Sequence, residues 1–238
     1  MTTETPPAKK SQKVPRKTKS SKRVITKKRA LWYHFCQLIV YVGVKVLFRV
    51  KHINAHNVPK KGPGLLIANH QSFLDPPAIG SGYFRMTNFL ARKTLFRFKP
   101  FAKLIDSFDA IPLDQQGMGY QGVRETLRRL KNDELVLIFP EGSRTFDGEL
   151  APFTSGYAAM AVKMNAVIVP VAISGAFEAF PRTKKFPSFF KKRVVVEYGE
   201  PLSPEFLKTM SEDEINTLVV SKISEMYERN RPRSRKKS

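Results

Sequence analysis

The sequence predicts an α/β domain, a sheet layered between helices, on three observations. From about residue 47 onward, short apolar runs of strand length alternate with stretches of helical periodicity. Turn-forming residues separate the two kinds of segment. Of 238 residues, 42% are hydrophobic and 18 are Phe, enough apolar surface for one real core but not for two full domains.

Taken in order, residues 1–29 are mostly Lys, Ser, Thr and Pro with almost no large apolar side chain. Burial cannot offset the entropy of ordering such a segment, so a disordered basic tail is expected. From residue 30 to 50 the composition inverts. His34, Gln37, Tyr41, Lys45 and Arg49 fall at steps of three and four, drawing one narrow polar stripe along an otherwise apolar helix. Such a helix suits the headgroup boundary of a bilayer, with its stripe toward water and Trp32 and Tyr33 at its edge. Its length also allows a span, and packing on the core is the plain alternative. Lys45 and Arg49 interrupt the apolar run, which favours an interfacial helix over residues 30–46. β-branched residues after Val44 then hand over to a strand near 47–53.

Further strands are expected at 65–68, 88–91, 135–139, 167–173 and 194–198. Helices are expected at 75–80, 95–105, 118–131, 156–163 and 212–229. The last repeats Ile215, Leu218, Val219, Ile223 and Met226 at core spacing. The domain is expected to run from 30 to 228, followed by a second basic tail at 229–238.

A formal net charge of +22 first suggests a nucleic-acid binder. Its distribution argues otherwise. Residues 1–29 carry eleven bases against Glu4, and the last ten residues carry six more, which leaves only +6 for the body. Two polybasic tails on a mildly basic body suit anionic membrane lipids, where each base near the surface is worth about 1 kcal/mol; solubilising tails are the plain alternative. No specific nucleic acid is expected as a partner. The one cysteine, Cys36, cannot form an internal disulfide, and no signal-peptide pattern opens the chain. Both point to the cytoplasmic face of a membrane.

NHQSFLD at residues 69–75 follows an apolar run and sets His70 and Asp75 five apart at a strand-to-helix turn. A carboxylate on one imidazole nitrogen fixes tautomer and orientation, leaving the other nitrogen to take a proton from a hydroxyl. No Ser or Cys nucleophile is needed if that hydroxyl belongs to the substrate. Standing alone, this spacing is common by chance. FPEGSRT at residues 139–145 also leaves a strand and gathers Glu141, Gly142, Ser143 and Arg144 into one turn that suits a phosphate or polyol. Arg144 offers a planar fork of donors to an oxyanion, while Glu141 can accept from a hydroxyl or brace the turn. A surface ion pair is the plain alternative. Between residues 180 and 193 aromatics alternate with blocks of bases, which fits lipid headgroups, single-stranded nucleic acid, or core Phe with Lys outside. His52 and His56 lack the further ligands of a tetrahedral site, so no metal is expected.

Together the two motifs, seventy residues apart and supported by IPLD at 111–114 and VIVPVAISGAFEAFPR at 167–182, resemble the glycerolipid acyltransferase family typified by bacterial 1-acylglycerol-3-phosphate acyltransferases. The resemblance covers roughly residues 49–204. It implies a glycerol-3-phosphate acyltransferase-like fold, a mixed and largely parallel sheet flanked by helices, with an N-terminal membrane-adhering helix. It implies a membrane-associated O-acyltransferase that needs no cofactor and takes acyl-CoA or acyl-carrier protein as co-substrate. The acceptor would be the free hydroxyl of a lysophospholipid, with 1-acyl-sn-glycerol-3-phosphate, giving phosphatidic acid, as the first choice. His70 would be the base and Asp75 its orienting partner, with backbone amides near the turn as oxyanion donors. Asn69, Ser72, Lys93, Glu141, Gly142, Ser143 and Arg144 would bind substrate. The chain departs from the family pattern at Asp109, where Gly is usual, and at Gln115 and Thr154, where cations are usual. Each charge-assisted bond is worth about 1.5–3 kcal/mol, so two lost cations leave open a lysophospholipid with another headgroup, or a silent lipid-binding adaptor. Arg92, Lys93, Lys163 and Arg182 are the available replacements.

Overall fold

A computed structural model describes residues 27–92, 110–113, 119–184, 186–190 and 193–232. The basic lead through residue 26, Lys93, the helix expected at 95–105, Asp109, Gln115 and the last six residues lie outside the described residues.

Seven strands form one sheet: β1 Lys51–Ile53, β2 Gly64–Ala68, β3 Thr87–Arg92, β4 Ile111–Leu113, β5 Leu135–Ile138, β6 Val167–Ser174 and β7 Val195–Tyr198, in the order β1-β7-β6-β2-β5-β3-β4. Every pairing is parallel except that of β6 with β7. The mixed, largely parallel sheet is therefore the architecture expected. Strands covered on both faces read as unbroken apolar runs rather than alternating ones, and β2 (GLLIA) and β5 (LVLI) are buried at every position. The short edge strand β4 was not expected; Pro112 lacks the N–H of a ladder residue, and an edge is where a sheet tolerates that.

Alternate residues of the central strands feed two core layers. Leu65, Ile67 and Ile138 pack with α3 (Gly119–Lys131), α4 (Gly156–Met164) and, after the short α5 (Ala176–Ala179) and α6 (Pro204–Leu207), α7 (Glu212–Asn230); Leu66, Ala68 and Leu137 face the layer formed with α1 (Lys27–Leu47) and α2 (Asp75–Gly80). Helix α7 starts on a capping box between Ser211 and Glu214 and buries Ile215, Val219, Ile223 and Met226, the spacing that predicted it.

Helix α1 begins at Lys27 rather than residue 30, and its orientation is the reverse of the one expected. The first three positions of the polar stripe turn toward the protein, while Lys45 and Arg49 stay exposed. Gln37 is buried and its amide donates to the carbonyls of Gly80 (2.8 Å) and Tyr83 (2.7 Å). His34 stacks on Phe84 at 4.1 Å, and Tyr41 faces the His52 ring. Tyr33 is buried rather than at a water-facing edge, its hydroxyl accepting from the Thr87 N–H. The apolar side is what remains outside: Leu31, Trp32, Phe35, Leu38, Ile39, Val42 and Val46 are all exposed. The reason is that the carbonyls of Gly80, the last residue of α2, and of Tyr83 just beyond it need donors and Gln37 supplies them, which leaves the apolar side facing outward.

Candidate active site

Strands β2 and β5 lie side by side and parallel, in a register from Gly64 opposite Leu135 to Ile67 opposite Ile138. Both therefore end at the same edge of the sheet, where ligands of open α/β folds sit. The turns that follow them meet there, so the two sequence motifs form one site.

Immediately beyond β2, Asn69 makes a two-way bond with the Ile173 main chain: its amide donates to the carbonyl (3.0 Å) and its oxygen accepts from the N–H (2.8 Å). The next residue is His70, whose Nδ1 bonds Asp75 Oδ2 at 2.7 Å. That same oxygen accepts the N–H of Gln71 (2.6 Å) and of Ser72 (2.7 Å), and the Asp75 side chain is fully buried. The chain thus wraps around a carboxylate that also opens α2, with Pro76 and Pro77 preset for the first helical turn. With the carboxylate accepting, Nδ1 carries the hydrogen and Nε2 is left with its lone pair. The imidazole keeps 19% of its side chain accessible.

The second motif holds both the ring and the peptide of His70. Phe139, just past the end of β5, stacks on the imidazole with centroids 4.0 Å apart and planes 17° apart. Glu141 Oε1 accepts the His70 N–H at 2.8 Å, and the Thr145 N–H donates to the His70 carbonyl at 2.8 Å. Ring and peptide are both fixed, which is the pre-organisation a general base needs. Burial pushes the Glu141 carboxyl up to about 7, against the bonds from the His70 and Ala151 N–H groups that favour its charge. The folded state therefore binds a proton here that the unfolded chain releases near 4.5. This contribution to stability is present below that value and is lost as pH rises toward 7. Denaturant melts at about pH 5 and about pH 8 are expected to differ less for Glu141→Gln than for the parent.

The rim of the site is cationic and aromatic. The Arg144 guanidinium lies 3.4 Å from the Phe73 ring centroid, and Arg182 lies 3.8 Å from that of Phe146. Arg182 also donates to the Arg144 carbonyl at 3.1 Å. In the same turn the exposed Gly142 sits at φ 70°, the left-handed conformation that favours glycine, and Ser143 is partly exposed. The Thr154 hydroxyl, at one position where a cation was expected, donates to the Pro140 carbonyl and braces the turn.

His70, Asp75, Glu141, Gly142, Ser143 and Arg144 are thus brought together. Asn69 and Ser72, expected among the substrate-binding residues, with Asn69 also expected to steady the turn, are both buried on main-chain partners; the Ser72 hydroxyl donates to the Phe180 carbonyl (2.7 Å) while accepting from the Leu74 N–H. The sequence reading missed three supports, Phe139, Thr145 and Gln71, whose amide donates to the Tyr227 hydroxyl and the Gly148 carbonyl. Phe139 and Thr145 open and close the FPEGSRT segment, but their target becomes visible only with the β2–β5 register. His52 bonds the Ala78 carbonyl, and among the described residues no group of three or more His, Cys, Asp or Glu is placed to hold a metal.

Residues 49–174 match the family model described as Acyltransferase. Over 172 residues the chain is 29% identical to the 1-acyl-sn-glycerol-3-phosphate acyltransferase of Bacillus subtilis, spanning 71% of this chain and 82% of that one. Over 214 residues it is 25% identical to the 1-acyl-sn-glycerol-3-phosphate acyltransferase of Streptococcus pneumoniae, spanning 88% and 76%. The crystal structure of the 1-acyl-sn-glycerophosphate (LPA) acyltransferase PlsC from Thermotoga maritima has the same fold, with a TM-score of 0.67 at 23% identity over 87% of this chain and 97% of that one.

Proposed function

The chain belongs to the acyltransferase family, and on that premise we propose that it moves an acyl group from a thioester donor to the free hydroxyl of 1-acyl-sn-glycerol-3-phosphate, giving phosphatidic acid. The observation that carries this reading is the His70 imidazole, anchored through Nδ1 to a buried carboxylate and open at Nε2. In the reaction Nε2 takes the hydroxyl proton as the acceptor oxygen attacks the thioester carbonyl carbon. A C–O bond forms, the C–S bond breaks, and the imidazolium returns the proton to the departing thiolate. Asp75 stabilises the imidazolium between the two transfers. The donor is acyl-CoA or acyl-carrier protein. The catalytic domain, expected over residues 30–228, takes in all of α1 from Lys27 and of α7 to Asn230, and the exposed side of α1 lies in the cytoplasmic leaflet with the basic tails on anionic headgroups.

Arg144 is the phosphate ligand, seated on Phe73 and flanked by Gly142, Ser143 and Arg182. Arg144→Ala is expected to raise the acceptor KM roughly 10- to 100-fold, the equivalent of one charge-assisted bond, with a smaller effect on kcat. Steady-state kinetics against lysophosphatidic acid and against an uncharged monoacylglycerol check this: an equal loss on both acceptors removes the phosphate role. Thiol release from acyl-CoA across a panel of lysolipids tests the acceptor itself. Turnover with phosphodiester lysolipids but not with lysophosphatidic acid would shift the assignment to another headgroup, and none with any acceptor would leave a lipid-binding adaptor.

A further inference from the structure

We propose that residues 186–190 form a second bilayer contact beside α1, one that selects anionic lipid and stops the enzyme from rolling on the membrane. The inference rests on the reading that α1 lies on a bilayer. Phe186, Phe189 and Phe190 are 80%, 44% and 57% exposed, three rings turned to solvent within five residues. Phe190 also has φ 61°, a left-handed conformation rare for a bulky side chain.

The segment is tied to the end of the helix. The Phe190 N–H donates to the carbonyl of Leu47, the last residue of α1, at 2.9 Å; the Phe189 and Phe48 rings are 5.4 Å apart; and the Val194 N–H donates to the Phe48 carbonyl. Its other side is tied toward the active site. The Ser188 N–H donates to the Ala179 carbonyl at 2.7 Å, and the neighbouring Phe180 carbonyl accepts the Ser72 hydroxyl. The rings thus lie between the exposed apolar side of α1, which ends at Val42 and Val46, and the rim around Phe73 and Arg144.

Charge identifies the occupant. Residues 184–193 contain five Lys and Arg and no acid, and rings set among cations match an interface of apolar chains capped by phosphates. An acidic carrier protein would meet the cations but leave the rings and the apolar side of α1 in water. One helix lying on a surface can turn about its own axis; a second contact off that axis removes the freedom.

Trp32 is the only tryptophan and sits on the exposed side of α1, so its emission reports helix insertion directly. The full-length protein is titrated with phosphatidylcholine vesicles, with and without phosphatidylglycerol. The expected result is a Trp32 blue shift at lower lipid when phosphatidylglycerol is present. Phe186→Ser/Phe190→Ser should need roughly tenfold more of the anionic vesicles for the same shift, and Lys184→Glu should reduce the anionic preference with the rings intact. Thiol release with a short-chain, water-soluble lysolipid should be unchanged in both variants. Identical lipid titrations for parent and variants overturn the proposal, as does a defect confined to turnover with acyl-carrier protein, which would make the segment a carrier-protein site. If the parent releases no thiol with any acceptor, the acyltransfer reading fails while the vesicle result still decides this one.

Discussion

His70→Ala is expected to reduce thiol release from acyl-CoA in the presence of lysolipid by roughly 10²–10⁴-fold, the range of general-base assistance, with the fold preserved. The separation is possible because two different sets of contacts hold this residue. The ring bonds Asp75 and stacks on Phe139, whereas the peptide is held by Glu141 and Thr145 through bonds that do not involve the ring. Alanine removes the first set and keeps the second. Circular dichroism and a thermal melt close to those of the parent, with turnover lost, are the expected pair of results; near-normal turnover would dispose of the mechanism.

Asp75→Asn should behave differently, and the contrast is informative. One buried oxygen of Asp75 receives three donors, two of them main-chain N–H groups that shape the start of α2. An amide of the same shape keeps one acceptor oxygen but loses the charge that steadies an imidazolium. By the precedent of such carboxylates beside a catalytic histidine, kcat falls about 10⁴-fold, with the acceptor KM little changed. Bonds to an ionised acceptor are worth about 1.5–3 kcal/mol and neutral ones about 1 kcal/mol. Urea unfolding should therefore show a loss of roughly 1–3 kcal/mol, unlike His70→Ala. A variant as stable and as active as the parent would remove Asp75 from the machinery.

The parts of this molecule that sequence reading captured are those specified over a few residues. Continuous apolar runs marked β2 and β5, core spacing marked α7, and the five-residue step from His70 to Asp75 already contained their bond, because a strand-to-helix turn folds one onto the other. What it missed was specified at a distance. Periodicity groups His34, Gln37, Tyr41 and Lys45 on one side of α1, but which side faces inward depends on carbonyls of Gly80 and Tyr83, 43 and 46 positions away. The roles of Phe139, Glu141 and Thr145 around His70 likewise follow from the pairing of β2 with β5. Asn69 and Ser72 show a related ambiguity: a polar side chain in a motif has the same letter whether it reaches a ligand or a neighbouring main chain.

The grip of Glu141 and Thr145 on the His70 peptide sets a limit on re-engineering. In the proposed mechanism the turn that would meet the headgroup is also the bracket that carries His70, so grafting residues 139–145 wholesale from a protein with another preference would displace the imidazole along with the selectivity. A productive swap keeps the two brackets at 141 and 145 and varies only the three positions between them.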